Sequence, residues 1–335
     1  MDLNNLSATQ RAGQRLMVGF DGTRLDDTLK DYIGRLGVGG LILFARNISS
    51  PRQVTELCQA AQEHAAQCGH PPLLIGIDQE GGVVSRLKPP FTQFAGQPLI
   101  QSDAEASHFA RTTAEELRSI GVNMNMAPVM DVLPPNGPSV MQERAFSRDP
   151  QQVARMGTII IESMQSNGIM AVAKHFPGIG RTVLDSHHEL PDLETDTASL
   201  YQGDIMPFQQ AIEIDVAGIM LAHIRYLSID PQWPASLSPA IADEILRSQI
   251  GYRGVTLTDD LDMGAISKHY NPQTVAIQCL AATVDILLIC HPGDKIESVH
   301  QHIIRLQGQD DASSEAALAS LMRIGDLKNR YLTAD

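Results

Sequence analysis

The sequence predicts an α/β fold, a single (β/α)8 barrel of the TIM type with a C-terminal helical segment. Short apolar runs recur along the chain, and segments with helical periodicity separate them. Strands that alternate with amphipathic helices indicate βαβ units and a parallel sheet. Eight such runs in 335 residues fit a closed barrel, which needs roughly 250 residues, so we expect residues 1–335 to form one domain.

The predicted strands are mostly apolar, as expected for buried parallel strands. They are Leu16–Phe20, Gly40–Phe44, Leu73–Ile77, Val122–Met126, Ile169–Ala173, Ala217–Leu221, Gly254–Thr258 and Val284–Ile289. The helical segments are Gln53–Cys68, Ala104–Ile120, Gln151–Asn167, Ala240–Ile250 and about Ile296 to Tyr331. An open doubly wound sheet is the alternative fold. The lack of a GxGxxG pattern after an early strand argues against it.

The composition excludes several classes of partner. The formal net charge of −14 argues against nucleic acid and against an anionic membrane surface, because both bind clustered Lys and Arg. No apolar run reaches the roughly 18–20 residues of a membrane-spanning helix. The four cysteines show neither CxxC spacing nor a disulfide framework, so we expect a reducing, cytoplasmic location.

Polar residues gather after the predicted strands, whereas the strand starts are nearly free of charge. Barrel enzymes carry their catalytic residues at the C-terminal ends of strands. This bias therefore predicts an active site there, although a single strand-end residue such as His223 or His291 could simply hydrogen-bond a loop. The residues after the strands are Asp78, Asp131, Arg144, Lys174, His175, His223, Asp259, Asp260 and His291.

The stretch from Lys174 to His187 is the most informative part of the chain. It follows a buried strand, and Pro177, Gly178 and Gly180 prevent regular structure, so the chain continues as a shaped loop. Placing Lys, His, Asp and His around a buried strand end is costly in polar groups. We therefore expect this stretch to form the reactive centre.

Several motifs resemble glycoside hydrolase family 3, in its β-N-acetylhexosaminidase branch. Lys174–His187 matches the pattern KH(F/S)PGxGx4D(S/T)H, and Thr258–Met263 resembles the nucleophile segment of that family. Asp78–Leu87 and Glu143–Pro150 resemble its sugar-binding segments. The likeness runs in order through nearly the whole chain. It implies a barrel fold without a cofactor or a metal.

The resemblance implies an exo-acting, retaining β-N-acetylglucosaminidase. Its substrate would be a small saccharide or muropeptide from peptidoglycan, with terminal N-acetylglucosamine on anhydro-N-acetylmuramic acid, in cell-wall recycling. The protein would be a monomer that uses a covalent glycosyl-aspartate intermediate. A β-glycosidase or an N-acetylglucosamine phosphorylase of the same family is the alternative, because a histidine acid/base repels an incoming phosphate less than a carboxylate does.

The resemblance assigns the nucleophile to Asp259, which ends a rigid strand and can aim its carboxylate. Neighbouring residues on an extended strand face opposite ways, so we expect Asp260 and Asp262 to support the loop instead. The resemblance assigns the acid/base to His187, and an imidazole with an unperturbed pKa near 6.5 can both give and take a proton. Asp185 would orient that ring. The alternatives are a surface histidine at a helix cap, or His188 as the active imidazole.

The substrate-binding residues implied by the resemblance are Asp78, Arg86, Arg144, Lys174 and His175. Such fixed donors and acceptors suit sugar hydroxyls, and an arginine can bind two oxygens at once. Alternatively, Arg144 could form an ion pair with Glu143 or Asp149. Arg86 could brace the loop after Gly81 and Gly82.

Two positions depart from the family pattern: Ile179 stands where many members carry His, and Arg181 where many carry Asp. Both change the charge and bulk of the loop without touching Asp185 or His187. Two other classes stay open from the sequence. One is a saccharide-binding protein without catalysis. The other is a metal-dependent barrel hydrolase, with ligands from His175, His187, His223, Asp259 and His291.

Overall fold

The computed structural model describes residues 6–308 and 311–333, and eight parallel strands form its centre. The strands follow one another around the sheet in chain order, as in a TIM barrel. They are β1 (Leu16–Val18), β2 (Gly40–Leu43), β3 (Leu74–Ile77), β4 (Met124–Asn125), β5 (Met170–Phe176), β6 (Gly218–Leu221), β7 (Val255–Thr258) and β8 (Leu287–Ile289).

The ring of strands is nearly closed. β1 pairs with β8 through Leu16 and Leu287, and β7 meets β8 at a single bridge between Leu257 and Ile286. The side chain of Thr258 strengthens that last contact, because its Oγ1 accepts the backbone N–H of Leu288 at 3.0 Å. The predicted fold class is therefore confirmed.

The outer helices begin where the sequence supplies capping groups. Ser50 and Ser102 accept backbone N–H groups from the first turns of the helices that follow them, and Asp149 does the same before Pro150. The α-helices are Ala8–Gln14, Asp27–Asp31, Pro51–Gln67, Asp103–Ser119, Pro150–Ser166, Thr197–Ser199, Met206–Glu213, Gly264–Ser267, Pro272–Ala281, Asp294–Leu306 and Asp311–Leu332.

Other helical turns are wider or tighter than an α-helix. The π-helical segments are Tyr32–Leu36, Leu200–Asp204 and Ala240–Gln249, and the 3-10 segments are Ala45–Asn47, Gln97–Leu99 and Ala235–Leu237. Two short ladders lie outside the barrel. Gln79–Gly81 pairs antiparallel with Val84–Ser85, and Asp192–Leu193 pairs parallel with Arg225–Tyr226.

The barrel interior holds its own apolar cluster, separate from the layer between strands and helices. Met17, Ile42 and Leu74 belong to this inner cluster. Their strand neighbours, such as Val18 and Leu43, belong to the outer layer. Helix Asp311–Leu332 joins the inner cluster through Leu321, Ile324 and Leu327. The C-terminal helix therefore closes the N-terminal end of the barrel, and the opposite end is left for a site.

Charges also lie at the N-terminal end of the barrel, so the expectation that the strand starts are nearly free of charge is wrong. Asp285, just before β8, is fully buried and pairs with Arg247 and Arg323 at 2.8 Å each. Arg15, just before β1, donates to the carbonyl of Val284 at 2.7 Å. Asp285 thereby anchors the C-terminal helix through Arg323, a contact that strand patterns do not reveal.

Candidate active site

One pocket lies at the C-terminal end of the barrel, where the strands deliver their last side chains. It encloses about 290 Å³, and every residue predicted as catalytic or substrate-binding lines it. Those residues are Asp78, Arg86, Arg144, Lys174, His175, Asp185, His187 and Asp259. The fold therefore brings the whole predicted set to one face, whereas the role of each residue stays a prediction.

A network of ion pairs forms the charged floor of the pocket, which consists of Asp78, Glu80, Arg86, Arg144 and Lys174. Lys174 Nζ lies 2.9 Å from Asp78 Oδ1 and 2.6 Å from Glu80 Oε1. Arg144 donates two N–H groups to Glu80, at 2.8 and 3.0 Å. Arg86 donates to Asp78 at 3.1 Å. Each buried charge is compensated by a neighbour, as burial requires.

The ion pairs keep the floor ionised at neutral pH. Burial would raise the pKa of Asp78, but Lys174 and Arg86 hold it well below its usual range. Burial would likewise raise the pKa of Glu80, while Lys174 and Arg144 lower it. The pKa of Lys174 is raised, because Asp78 and Glu80 outweigh its burial. The floor therefore presents fixed, charged hydrogen-bonding groups, which suit sugar hydroxyls.

His175 is held in one orientation by a buried carboxylate. Its Nδ1 lies 2.8 Å from Asp131 Oδ2, and Asp131 is fully buried. The other oxygen of Asp131 accepts the backbone N–H of Ile179 at 2.7 Å. Asp131 thereby connects the end of β5 to the loop that follows it. The remaining ring nitrogen, Nε2, is left for the pocket.

Asp259 follows β7 directly, and its backbone N–H donates to the carbonyl of Leu221 at 3.0 Å. Its Oδ1 accepts the backbone N–H of Asp260 at 2.8 Å, and in the described part of the chain no residue donates to its Oδ2. Burial would raise the pKa of Asp259, but His175 and His223 hold it below its usual range. Asp259 is therefore an ionised, oriented carboxylate with one oxygen available.

The two carboxylates after Asp259 accept backbone N–H groups, as predicted. Asp260 Oδ1 accepts from Asp262 at 2.9 Å and from Cys290 at 3.1 Å. Asp262 accepts the N–H of His291 at 2.8 Å and pairs with Lys295 at 2.6 Å. These bonds fix the loop after β7 and leave Asp259 in position.

Asp185 and His187 form a hydrogen-bonded pair on the rim of the pocket. His187 Nδ1 lies 2.6 Å from Asp185 Oδ1, which also accepts the backbone N–H of His187 at 2.9 Å. Burial would raise the pKa of Asp185, but these two hydrogen bonds hold it below its usual range. The side chains of Asp185 and His187 are 51% and 63% exposed, respectively, so the pair is accessible to solvent. We call residues 177–189 the dyad loop.

Comparison with known proteins identifies the family. The sequence model described as the Glycosyl hydrolase family 3 N terminal domain matches residues 8–324. The Beta-hexosaminidase of Nitrosomonas eutropha is 37% identical over 293 residues, which cover 85% of this chain and 82% of that relative. The chain belongs to glycoside hydrolase family 3. The resemblance read from the motifs is confirmed.

Other family 3 relatives are longer. The Beta-hexosaminidase A of Pseudoalteromonas piscicida is 35% identical over 369 residues, which cover 97% of this chain and 61% of that relative. A family 3 β-N-acetylglucosaminidase from Paenibacillus sp. superposes with a TM-score of 0.93 at 35% identity, over 98% of this chain and 64% of that one. The prediction that residues 1–335 form a single domain stays a prediction.

A β-N-acetylhexosaminidase from Beutenbergia cavernae has nearly the same extent as this chain. Its structure superposes with a TM-score of 0.87 at 28% identity, and the match covers 97% of this chain and 99% of that one. The barrel and its C-terminal helix therefore also occur in a solved structure of nearly the same length.

The sequence analysis did not predict two residues that belong to this site, Glu80 and Asp131. Glu80 lies beneath the pocket and holds both Lys174 and Arg144. Asp131 was noted only as a strand-end residue, yet it orients His175. The spacing of Asp78 and Glu80 was the available signal, since residues two apart on a strand share a face.

The structure decides two of the alternatives that the sequence left open, one for Arg144 and one for His223. Arg144 pairs with Glu80, not with Glu143 or Asp149. His223 is buried away from the pocket, where its ring nitrogens contact Ser236 Oγ at 2.7 Å and the carbonyl of Asp260 at 2.9 Å. His223 thus has the structural role that was the alternative for a strand-end histidine.

The ligand set of the metal-hydrolase alternative does not converge. Among the described residues, the only group of three or more His, Cys, Asp or Glu side chains close enough to hold an ion is Asp260, Asp262 and His291. Lys295 already neutralises Asp262 there.

Within the described ranges, no helix is both long and apolar enough to cross a bilayer.

Proposed function

We propose that this protein is an exo-acting, retaining β-N-acetylglucosaminidase. The observation that carries the proposal is the shared pocket, which is lined by an ionised Asp259 and by the pair of Asp185 and His187. The relatives named Beta-hexosaminidase and the solved family 3 β-N-acetylglucosaminidase support the same activity.

In the first step, the free Oδ2 of Asp259 attacks the anomeric carbon. The bond to the leaving oxygen breaks as the protonated His187 donates the Nε2 proton to it. Asp185 stabilises the charged ring before the transfer and keeps Nδ1 occupied, so that Nε2 faces the substrate. The product of this step is a glycosyl ester on Asp259 and a neutral His187.

In the second step, His187 accepts a proton from water as the water oxygen attacks the same anomeric carbon. The ester bond to Asp259 breaks, and the carboxylate is regenerated. Two displacements on one carbon retain its configuration. The imidazole ends protonated, which readies it for the next substrate.

The floor would bind the terminal sugar. Lys174, Arg144 and Arg86 supply donors to hydroxyl or acetamido oxygens, while Asp78 and His175 Nε2 complete the set. Lys174 and His175 are almost fully buried beneath the opening, so the pocket is closed at its base. A closed base admits a chain end and not the middle of a polymer, which is why we propose exo action.

The finer substrate is part of the proposal and follows from the motif resemblance. We propose a peptidoglycan fragment with terminal β-linked N-acetylglucosamine on anhydro-N-acetylmuramic acid, processed by a cytoplasmic monomer in cell-wall recycling. The direct check is to compare kcat/KM for this disaccharide with that for chitobiose. A clear preference for chitobiose would contradict this part alone.

Trapping with a 2-fluoro sugar tests the mechanism. The fluorine slows hydrolysis of the glycosyl ester, so intact-mass analysis should show one added sugar, and peptide mapping should locate it on Asp259. The Asp259→Asn variant is the control and should stay unlabelled. Labelling of a different residue would overturn the assignment.

A second experiment separates hydrolysis from phosphorolysis. The reaction is run in phosphate buffer, and the product is analysed for a sugar 1-phosphate.

A further inference from the structure

The dyad loop is attached to the barrel on both sides of Asp185 and His187. Upstream, the hydroxyl of Tyr226 donates to the carbonyl of Gly178 at 2.8 Å. Downstream, the carbonyl of His187 accepts the backbone N–H of Gly264 at 2.9 Å. Between these bonds, the carbonyls of Thr182 and Ser186 accept the backbone N–H groups of Val140 and Ala265 at 3.0 and 3.1 Å. The side chains of Asp185 and His187 themselves are exposed, so their position depends on how the loop backbone is attached.

The upstream side has an additional side-chain attachment, an ion pair between Arg181 and Asp204. Arg181 Nε lies 2.7 Å from Asp204 Oδ2. Asp204 ends the π-helical segment Leu200–Asp204 and is 1% exposed, whereas the side chain of Arg181 is 28% exposed. The pair thus joins the loop, four residues before Asp185, to a buried group on another element.

The backbone around this ion pair is fitted to it. A Cβ atom added to Gly178, where φ is +125°, would lie 2.8 Å from Asp204 Cβ. A Cβ on Gly203 would lie 3.1 Å from Arg181 Nη2. The loop and the π-helical segment can approach this closely because position 178 is glycine, whereas at position 203 a Cβ would only displace the end of the Arg181 side chain.

Asp204 depends on Arg181 for compensation of its charge. Its Oδ1 is buried and has no hydrogen-bond partner among the described residues. The other ionisable groups that face it are Asp131, which repels it, and the neutral phenol of Tyr226. Burial raises the pKa of Asp204 to about 6, and Arg181 is the cation that offsets part of the cost of burying this carboxylate.

The downstream side offers a natural comparison. Glu189 and Lys268 also form an ion pair at 2.7 Å, but their side chains are 59% and 53% exposed. Water screens such a pair, and its contribution to structure is small. The two ion pairs on the dyad loop thus have the same length and opposite environments.

We propose that Arg181 and Asp204 are positioning residues that hold the upstream half of the dyad loop, and with it the acid/base, in register with the pocket. This inference rests on the proposed function of Asp185 and His187. It concerns the position at which this chain carries Arg where many family members carry Asp. Neither residue contacts the sugar-binding floor directly in the described structure.

A positioning role predicts an effect on turnover and not on binding. His187 moves its proton in the transition state, so a displaced loop lowers kcat, while the floor that binds the sugar is unchanged. Misplacement of a catalytic group by about 1 Å can cost up to about 100-fold in rate. For a loop that keeps its downstream bonds, we expect a smaller loss.

A double-mutant cycle tests the proposal. Arg181→Met and Asp204→Asn should each lower kcat for an aryl N-acetylglucosaminide by about tenfold, with KM changed less than twofold. The double variant should lose no more than the worse single variant, because both changes break the same contact. Arg181→Lys should restore most of the activity. Lys268→Ala, which breaks the exposed pair, should stay within twofold of wild type.

Hydrogen exchange gives a readout independent of activity. Amides of residues 178–188 should exchange faster in Arg181→Met, while helix Pro150–Ser166 stays protected. Near-normal kcat together with unchanged exchange in Arg181→Met would overturn the proposal, as would a rise in KM at constant kcat. If the wild type lacks glycosidase activity, the proposed function fails. Faster loop exchange would then still support the attachment itself.

Discussion

The two sides of the pocket are built in opposite ways. The floor pairs every charge in one network, in which Glu80 and Lys174 are each 2% exposed. The dyad loop carries Asp185 and His187 in the open, with the side chain of His187 63% exposed. The groups proposed to bind the sugar are thus held by several ion pairs, whereas the proposed proton donor is held by one carboxylate and a few loop contacts.

The difference fits the role that we propose for each side. Sugar recognition and nucleophilic attack need fixed distances, and buried ion pairs provide them because breaking one leaves an uncompensated charge. In the proposed mechanism, the acid/base also has to take a proton from an attacking water molecule once in every cycle. Exposure of His187 admits that water molecule, and the hydrogen bond to Asp185 preserves the ring orientation.

The largest loss of activity is expected from Asp259→Asn, on the buried side of the pocket that also contains the floor. Removing the nucleophile should lower kcat by about 10⁵-fold, the order found when a covalent nucleophile is deleted. Asp262→Asn is the matched control, since it lies in the same segment but pairs with Lys295. Steady-state hydrolysis of an aryl N-acetylglucosaminide measures both. Comparable losses in the two variants would mean that the segment acts as a folding unit and not through Asp259.

The next effect belongs to the loop side. His187→Ala should lower kcat by about 10²- to 10⁴-fold, the usual contribution of a general acid/base. A substrate with a very good leaving group should recover the first step, because such a group departs without a proton. His188→Ala is the control, since His188 does not line the pocket. A larger loss in His188→Ala than in His187→Ala would exchange the roles of the two imidazoles.

The sequence predicts which residues lie in the site better than it predicts which of them contact one another. It locates Asp78, Lys174 and Asp259, because a polar residue at the end of an apolar strand is visible as a pattern. It does not reveal the contact of Glu80 with Arg144, since the two lie 64 residues apart and meet only in the folded chain. The same reason hides the pairing of Asp131 with His175.

The fold shows a similar limit. β4 covers only Met124–Asn125, although the apolar run predicts Val122–Met126. The regular ladder is interrupted at Pro128, which has no N–H to donate, and pairing with β5 continues at a bridge between Val129 and Lys174. Asp285 lies inside the last predicted strand, whereas β8 begins at Leu287, and the carboxylate of Asp285 pairs with Arg247 and Arg323.

Glu80→Gln weakens the ion pairs of Lys174 and Arg144 without changing a residue that lines the pocket. Losing this charge leaves Lys174 and Arg144 without a shared partner, so we expect kcat/KM to fall by about 10²-fold, mainly through KM. The free energy of unfolding should fall by roughly 3 kcal/mol. Urea denaturation and steady-state kinetics measure the two effects. An unchanged KM would show that Asp78 alone orients Lys174.

The smallest effect is a change in how stability depends on pH, and it separates the two sides directly. The folded-state pKa of Asp78 lies below the unfolded value near 3.9, so the unfolded state binds more protons between the two values. The stability that Asp78 contributes is therefore present above about pH 4 and is lost as the pH falls. Asp78→Asn should flatten the slope of unfolding free energy against pH in acid.

Asp185→Asn is the matched change on the loop. The pKa of Asp185 is also lowered, so its contribution has the same sign, but water screens a half-exposed pair and makes the contribution small. Urea denaturation of both variants between about pH 2 and 5 compares the slopes across the interval in which these carboxylates titrate. Equal flattening by the two substitutions would mean that the loop carboxylate is held as firmly as the floor, and the contrast between the two sides would then be one of exposure and not of energy.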